Sequence, residues 1–360
     1  MPAIAGEKEH LHALSALTLN PSNVVDAVKY VASLSDDERQ DLLSLADSHH
    51  VIIRALEPVR ATALALGNVD LAGWAGAAIS KERSRIANAL NWLEQICKEL
   101  EGANCPTTVM KSLDHWPDVG NDLDLYSTGD DERVVKVMKE KFGAQVEAQS
   151  WGDRLAHKWN FAIEGLPELV EVHVKRLGQT GEHTALARRF VSRRVTVELD
   201  GHRFFVPAPE ERIIVATLQR MYRHFYARVC DLVNTAKLID SGAVDYPELR
   251  RASEMAGIWP GVATFLVIVS DYMRQYSGAE LEMPEMVTRA ARFGGEKVYA
   301  RARFLRVPVF PEGAALYGKQ LANTALRGDV PAAFRLSLLP PLATAAAISY
   351  KLTGSDKGIW

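Results

Sequence analysis

The sequence predicts an α+β protein in which a small mixed β-sheet lies between two helical regions. Helical periodicity dominates residues 22 to 101, and shorter strand-like patterns follow up to about residue 206. The chain has 360 residues, which exceeds the usual size of one domain. We therefore expect an N-terminal helical domain over 1–105, a sheet-containing core over 106–208 and a C-terminal helical region over 209–360.

Two start signals define helices in the N-terminal region. Ser35 is followed three residues later by Glu38, which is the pattern of a capping box. Ser80 precedes charged residues and then a second periodic run, which predicts another helix start. Apolar residues of that run recur at helical spacing: Ile86, Ala89, Leu90, Leu93 and Ile96. The chain then passes through residues 102–106 into an apolar strand at 107–110.

A short strand with two carboxylates follows. Asp122 and Asp124 are separated by one residue, so they project from the same face, while Leu123 and Leu125 point into the core. Turn residues flank this segment on both sides, which predicts a strand between two turns. Mg²⁺ takes one or two protein carboxylates and completes its shell with water and substrate phosphates. The pair therefore indicates nucleotide chemistry.

A third acid lies on a later strand. The alternation over 169–174 predicts a strand on which Glu171 and His173 share one face. Three acids on adjacent strands can hold two cations roughly 4 Å apart, the arrangement used for in-line displacement at phosphorus. We expect no lysine or arginine on these faces, so a metal ion would relieve the repulsion between the acids. His173 is expected to be a hydrogen-bonded packing residue.

The order of these motifs resembles that of the polymerase-beta-type nucleotidyltransferases. That family has a small Gly/Ser turn, an Asp-x-Asp/Glu pair and a later single acid; here Lys111-Ser112, Asp122-x-Asp124 and Glu171 occupy those places. The preceding helical region and the segment Pro209–Arg212 are similar to the bacterial uncharacterised nucleotidyltransferase family. The resemblance spans residues 25 to 250, with its specific motifs at 110–124 and 169–174.

The resemblance implies that 106–208 is a nucleotidyltransferase core. It implies transfer of a nucleoside monophosphate from an NTP such as ATP to a hydroxyl group, with Mg²⁺ as cofactor. Asp122, Asp124 and Glu171 would be the catalytic, metal-binding acids, and Lys111 and Ser112 would bind the nucleotide phosphates. The family has Gly-Ser or Lys-Gly at that turn, so this chain has less backbone freedom there. Taken alone, Ser112 is better explained as an ordinary helix cap, and the Asp pair downstream reverses that preference. Lys111 fits a solvated strand end as well as a phosphate contact.

The expected partners are an NTP and a hydroxyl-bearing acceptor. A small-molecule acceptor is favoured over a protein side chain or tRNA, because we find no aromatic and basic stacking platform. The net charge of -3 and the pI of about 6.4 provide no general attraction to nucleic acid, and no DNA partner is expected. The alternative is a catalytically inactive member of the same fold that acts as a binding or antitoxin-like protein.

Cysteine usage and the N-terminal residues predict a cytoplasmic protein. Cys97, Cys105 and Cys230 have no CxxC spacing, so neither a disulfide framework nor a zinc site is expected. The N-terminal stretch lacks a basic segment followed by an apolar one, which argues against secretion. Four arginines surround Phe190 and are expected in a solvated loop rather than on a phosphate or RNA surface: Arg188, Arg189, Arg193 and Arg194.

Two helical predictions concern the C-terminal region. Pro209, followed by acids in the first turn, opens a pattern that predicts one helix over 209–240. The segment 331–352 is apolar, but Arg335 and two prolines interrupt it, leaving less than the about 20 residues that span a bilayer. We expect it to form a buried terminal helix packed on the region that begins at Pro209, without membrane contact.

Overall fold

The protein is an α+β structure in which helices surround a small mixed sheet. The computed structural model describes residues 6–20, 23–301 and 303–353. The first five residues of the N-terminal stretch used for the secretion prediction lie outside these ranges. The α-helices are α1 (Glu7–Leu19), α2 (Val25–Ser33), α3 (Asp36–Ser48), α4 (Ile52–Ala65), α5 (Val69–Gly102), α6 (Asp131–Phe142), α7 (Trp151–Ala156), α8 (Thr184–Ala187), α9 (Arg189–Ser192), α10 (Pro209–Thr217), α11 (Val229–Asp240), α12 (Tyr246–Met255), α13 (Trp259–Ser277), α14 (Glu285–Ala290), α15 (Ala314–Leu326), α16 (Val330–Ser337) and α17 (Leu339–Thr353). The strands are β1 (Thr107–Val109), β2 (Asp122–Ser127), β3 (Gln145–Val146), β4 (Lys158–Ile163), β5 (Leu166–Val174), β6 (Val195–Leu199), β7 (His202–Val206), β8 (Tyr226–Ala227), β9 (Tyr299–Arg301) and β10 (Phe304–Arg306).

The main sheet has five strands in the order β1-β2-β5-β4-β3. β2 and β5 run parallel, and the other neighbouring pairs run antiparallel. Leu123 and Leu125 of β2 are fully buried, as are Val170 and Val172 of β5. The predicted strand phase is therefore confirmed, because the leucines point into the core and leave the intervening acids on the opposite face.

The predicted capping box at Ser35 is confirmed. Its side chain accepts a hydrogen bond from the Glu38 backbone N–H, and the Glu38 carboxylate accepts one from the Ser35 backbone N–H at 2.8 Å. The predicted helix start at Ser80 is wrong, because α5 begins at Val69 and runs through it. Asn68 caps that helix by accepting a hydrogen bond from Leu71 at 3.1 Å. Buried residues upstream of Ser80 extend the apolar face of the helix: Leu71, Ala72, Ala75 and Ile79.

A buried aspartate caps α4 from a distant part of the chain. Val51, the residue before α4, has no side chain that can accept a hydrogen bond. Asp118 takes this role: its Oδ1 accepts from the Ile53 N–H at 2.7 Å and its Oδ2 from the Arg54 N–H at 3.2 Å. Burial raises the pKa of Asp118 to about 7, although the two backbone donors oppose this. The contact attaches the N-terminal helices to the loop that leads into β2.

Asp118→Ala should destabilise the protein by about 1–3 kcal/mol, because it leaves buried helix N–H groups without an acceptor. Asp118→Asn keeps one acceptor oxygen and should cost less. Urea denaturation followed by circular dichroism measures both variants. Asp37→Ala, an exposed acid in the first turn of α3, is the control and should leave the unfolding midpoint almost unchanged. An Asp118→Ala protein as stable as the wild type would contradict the capping role.

The predicted single helix over 209–240 is wrong. α10 ends at Thr217, a π-helical turn covers Leu218–Arg223, and β8 separates it from α11. Phe225 has a φ of 52°, which no continuous α-helix contains. β8 pairs with β10 in a three-stranded sheet ordered β8-β10-β9. The aromatic residues of this stretch suit a strand, and a long-range pairing overrides the helical pattern.

Two large apolar clusters organise the described part of the protein, beside a small third one. The first joins α1 to α4 with α10 to α13, through residues such as Leu14, Leu42 and Val262. The second packs the later half of α5 against the sheet, through residues such as Leu93 and Val172. The N-terminal and C-terminal helices thus share one core, and the main sheet packs in another. The domain boundaries at 105 and 208 stay predictions.

The prediction of a solvated arginine loop is wrong for most of its members. Arg189 is only 8% exposed, and its guanidinium forms ion pairs with Glu211 at 2.5 Å and with Glu248. Arg193 and Arg194 pair with acids on α10 and α5. Arg188 is exposed, as expected. The acids that open α10 face this segment, so the arginines neutralise protein carboxylates rather than solvent ions or phosphates.

The expectation of a buried terminal helix is wrong for α17. Ile348 is 55% exposed and Leu352 is 79% exposed, although Leu336 at the end of α16 is buried. The helix is rich in alanine, so it offers little apolar area for packing. α16 docks through polar contacts instead: Arg335 Nη1 donates to the Leu155 carbonyl at 3.0 Å. Within the described ranges, no helix has the length and apolar character needed to cross a bilayer. The cytoplasmic location stays a prediction.

Candidate active site

The turn after β1 holds Lys111 in a strained conformation. Lys111 has φ 55° and ψ -55°, a region that side-chain-bearing residues rarely adopt and that glycine adopts freely. A 3-10 turn over Ser112–His115 follows. Strain of this kind is often maintained at functional sites. The backbone conformation at Lys111 is thus one that favours glycine, the residue that the Gly-Ser pattern has at this position.

Ser112 connects this turn to β2. Its hydroxyl donates to the Asp122 carbonyl at 3.0 Å and accepts from the Asp124 N–H at 2.8 Å, and the residue is 1% exposed. The hydroxyl proton is therefore used in a hydrogen bond to the β2 backbone. Its main observed effect is to position the strand that carries the two aspartates. The predicted contact with a phosphate stays a prediction.

The pairing of β2 with β5 brings two of the predicted acids together. Asp124 and Glu171 are direct register partners in the parallel pair, so their carboxylates project side by side from one face. His173 lies two residues further along β5 on that face. One ligand atom from each of Asp124, Glu171 and His173 lies within 4.8 Å of the other two. These three residues form the carboxylate–histidine group.

Asp122 lies outside this group, and His173 has a different environment from the expected one. Asp122 is exposed at the start of β2 and is not a member of the carboxylate–histidine group. Desolvation by the surrounding protein and the nearby Glu171 raise the pKa of its carboxyl. His173 is not the hydrogen-bonded packing residue that the strand pattern suggests, since neither ring nitrogen has a hydrogen-bond partner among the described residues. Its Nε2 lies 3.9 Å from Asp124 Oδ1 and 4.0 Å from Glu171 Oε2.

Two lysines neutralise the acids, and this corrects the expectation that their faces carry no cation. The Lys111 ammonium forms an ion pair with Asp124. Lys158 Nζ lies 3.2 Å from Glu171 Oε1 and 3.0 Å from Asp153 Oδ1. Lys158 belongs to β4, which pairs antiparallel with β5. Local sequence patterns do not reveal such a contact, because it depends on which strands become neighbours.

Burial and the lysines shift the pKa values of Asp124 and Glu171 in opposite directions. Burial raises the pKa of Asp124, and Glu171 adds to this, while Lys111 opposes it. For Glu171, burial also favours the neutral form, but Lys158 and Lys111 outweigh it and lower the pKa. Burial together with Lys111 lowers the pKa of His173 to about 3, so its imidazole is neutral at physiological pH. Paired acids with opposite shifts are typical of functional sites.

The carboxylates lie in the wall of a cavity of about 460 Å³. Four arginines from α10 and from the segment between α10 and α11 also line this cavity: Arg212, Arg220, Arg223 and Arg228. Three of these arginines already have partners. Arg212 pairs with Asp114, Arg220 pairs with Asp231, and Arg228 donates a hydrogen bond to His50. Arg223 is exposed and makes no ion pair with any described residue. This charge distribution suits a bound polyanion that brings its own cation.

An aromatic pair lies in the same cavity. The rings of Tyr226 and Phe304 stack with centroids 4.3 Å apart, and the Arg306 guanidinium lies 5.3 Å from the Tyr226 centroid. The interpretation that the chain lacks an aromatic and basic platform is therefore wrong. The two rings are far apart in the sequence, and the pairing of β8 with β10 brings them together. No local motif contains both.

The carboxylate–histidine group can hold a divalent cation. Asp124 and Glu171 offer the hard oxygen ligands that Mg²⁺ prefers, while an imidazole nitrogen is more typical of a transition metal. Both ring nitrogens of His173 are buried and unpartnered among the described residues, so the group has unused coordination capacity. Lys111 and Lys158 would then leave the two acids and form ion pairs with other anions in the cavity. The residues thus fit a divalent metal ion.

Comparisons with known proteins add little to this geometry. No protein-family model and no curated protein matches the chain. Among solved structures, the chain is similar to an antigenic nucleotidyltransferase-like protein from Paracoccidioides brasiliensis. The two share 16% identity, the match covers 45% of this chain and 84% of the other, and the TM-score is 0.31. Similarity at this level supports no functional argument.

Proposed function

We propose that this protein is a Mg²⁺-dependent nucleotidyltransferase that transfers a nucleoside monophosphate from an NTP to a hydroxyl-bearing acceptor. The register pairing of Asp124 with Glu171 carries the proposal, because it places two carboxylates side by side in a cavity with an arginine-rich wall. Paired carboxylates hold Mg²⁺ together with nucleotide phosphates in enzymes of phosphoryl transfer. The cavity therefore combines the two charge types that such a substrate requires.

Each residue then has a defined task. Asp124 and Glu171 would hold the cation, with Asp122 at the cavity mouth as a further acid. A bound divalent cation would neutralise charge that develops on the transferred phosphate. Lys111 and the unpaired Arg223 would contact the phosphate oxygens. The neutral imidazole of His173 offers a nitrogen that can accept a hydrogen bond from the acceptor hydroxyl. Positioning and electrostatics would supply most of the catalysis.

A catalytically inactive binding protein is the second candidate, and the lysine contacts favour it. Repulsion among unpaired acids would argue for a bound metal, but Lys111 and Lys158 already compensate Asp124 and Glu171. In an inactive protein these ion pairs would be permanent and would stabilise the central strands of the sheet. The two candidates differ in whether a divalent cation can displace the lysines.

Mg²⁺ and NTP together should raise the melting temperature, because they bind only the folded protein. A ligand present at 100 times its dissociation constant adds about 2.7 kcal/mol to stability. Thermal shift with ATP, GTP, CTP and UTP, each with Mg²⁺ or with EDTA, measures the effect. The shift should vanish in EDTA, and Mg²⁺ alone is the control. An equal shift in both conditions, or none in either, would favour the inactive candidate.

A further inference from the structure

A second, smaller cavity adjoins the carboxylate cavity. Its volume is about 70 Å³, and the two cavities share four lining residues: Lys111, Val215, Gln219 and Arg223. His173, the π-helical turn, the loop at 177–183 and the C-terminal helices form its walls. The C-terminal helices thus close a space that opens toward the predicted catalytic residues. Nothing in the sequence motifs assigns a role to those helices.

Most of the exposed wall area of the small cavity is apolar, although Glu182, His183 and Gln179 also line it. The apolar lining includes the side chains of Met110, Leu177, Leu218, Tyr222 and Leu339. One polar group stands out among them: Gln320 of α15 is 1% exposed, and its Nε2 has no hydrogen-bond partner among the described residues. A buried donor without an acceptor is costly, so native structures rarely keep one without a use. The amide therefore indicates a ligand acceptor atom in this cavity.

His173 connects the small cavity with the predicted chemistry. Its ring lines the small cavity, while its Nε2 lies 3.9 Å from Asp124 Oδ1. Lys111 and Arg223 stand at the boundary between the two cavities. A nucleotide in the large cavity would direct its phosphates toward this boundary. A molecule in the small cavity would then present its near end to those phosphates.

We propose that the small cavity is the acceptor subsite and that the acceptor is a small alcohol with an apolar body and a second polar oxygen. This inference rests on the proposed function. The hydroxyl hydrogen-bonds to His173, and the second oxygen accepts from Gln320 Nε2. In the reaction, the acceptor oxygen forms a bond to the α-phosphorus and the bond from that phosphorus to the bridging oxygen breaks. Pyrophosphate leaves with the electron pair, and the hydroxyl proton leaves to solvent.

Gln320→Leu tests the subsite, because it keeps the size of the side chain and removes the amide. The probe is 1,3-propanediol, with glycerol, which has a third hydroxyl on the otherwise apolar central carbon, as the polar comparison. Saturation-transfer NMR should detect the diol but not glycerol on the wild type. Loss of one hydrogen bond should weaken diol binding about tenfold in Gln320→Leu. The control is Lys319→Leu, an exposed neighbour on α15, which should bind the diol like the wild type.

Thermal unfolding separates a binding role from a structural one. Gln320→Leu removes a buried unpartnered amide, so its melting temperature should stay the same or rise while diol binding falls. A lower melting temperature with unchanged diol binding would show that Gln320 supports the fold, and would overturn the subsite. No diol binding to the wild type would mean that only water fills the cavity, which would also overturn it.

The subsite and the proposed function fail in different ways. A wild type that shows the Mg²⁺-dependent NTP shift but no diol binding would contradict the subsite and leave the nucleotidyltransferase proposal standing. Diol binding without any NTP shift would overturn the nucleotidyltransferase proposal, and with it the acceptor role, while leaving the cavity as a ligand site.

Discussion

Replacing Asp124 by Asn is expected to abolish nucleotide transfer while the protein stays folded. The substitution keeps the shape of the side chain but removes one of the two carboxylates that the β2 and β5 register places together. Loss of a group that stabilises developing charge lowers turnover by about 100-fold or more. Transfer can be measured as pyrophosphate release from an NTP in the presence of Mg²⁺.

The stability of Asp124→Asn should equal or exceed that of the wild type when metal is absent. The pKa of Asp124 in the folded protein lies above its ordinary value, because burial outweighs the attraction of Lys111. In the unfolded chain at neutral pH the Asp124 carboxyl is ionised. Folding disfavours this ionised form, which lowers the stability of the folded protein. A neutral amide removes that cost and loses the Lys111 ion pair. Thermal unfolding in EDTA measures the balance.

Asp130→Asn is the matched control for this variant. Asp130 is an exposed acid just beyond β2 that pairs with Lys175 and lies outside both cavities. It should retain full transfer activity and an unchanged melting temperature. Transfer that survives in Asp124→Asn would contradict the proposed role of the carboxylate–histidine group. An unfolded Asp124→Asn protein would show instead that the Lys111 ion pair is essential to the fold.

Arg189→Ala should cause the largest loss of stability, about 3–5 kcal/mol, which is typical when one partner of a buried ion pair is removed. The Arg189 guanidinium contacts Glu211, whose side chain is fully buried, and Glu248 on α12. Without Arg189, the ion-pair partner that Glu211 keeps among the described residues is Arg193, whose Nε lies 3.3 Å from its Oε1. A loss of this size is a large fraction of the about 5–15 kcal/mol that stabilises most proteins. Urea denaturation provides the measurement.

Arg251→Ala provides the comparison for Arg189, because Arg251 pairs with the same Glu248 but has a side chain that is 61% exposed. Surface ion pairs contribute little, so its unfolding midpoint should hardly move. Equal effects of the two substitutions would show that the buried pairing with Glu211 is not what stabilises this region.

Local patterns in the sequence were enough to determine the α+β class, the capping box at Ser35 and the strands around Asp124 and Glu171. Period-two alternation and cap chemistry depend on residues within a few positions of one another, so one stretch of chain contains the whole signal. The same alternation determined that Asp122 and Asp124 share a face. These predictions needed no knowledge of which elements become neighbours.

Only the tertiary structure decided which residues meet at the site. The parallel register places Asp124 beside Glu171 and His173, and leaves Asp122 outside the group. Lys158 reaches Glu171 because β4 pairs with β5, and the predicted helix at 209–240 breaks because β8 pairs with β10. Each of these contacts joins segments that are distant in sequence. The free energy of these contacts depends on residues that lie outside the local pattern. Where such a contact conflicts with the local preference of a segment, the contact determines the structure.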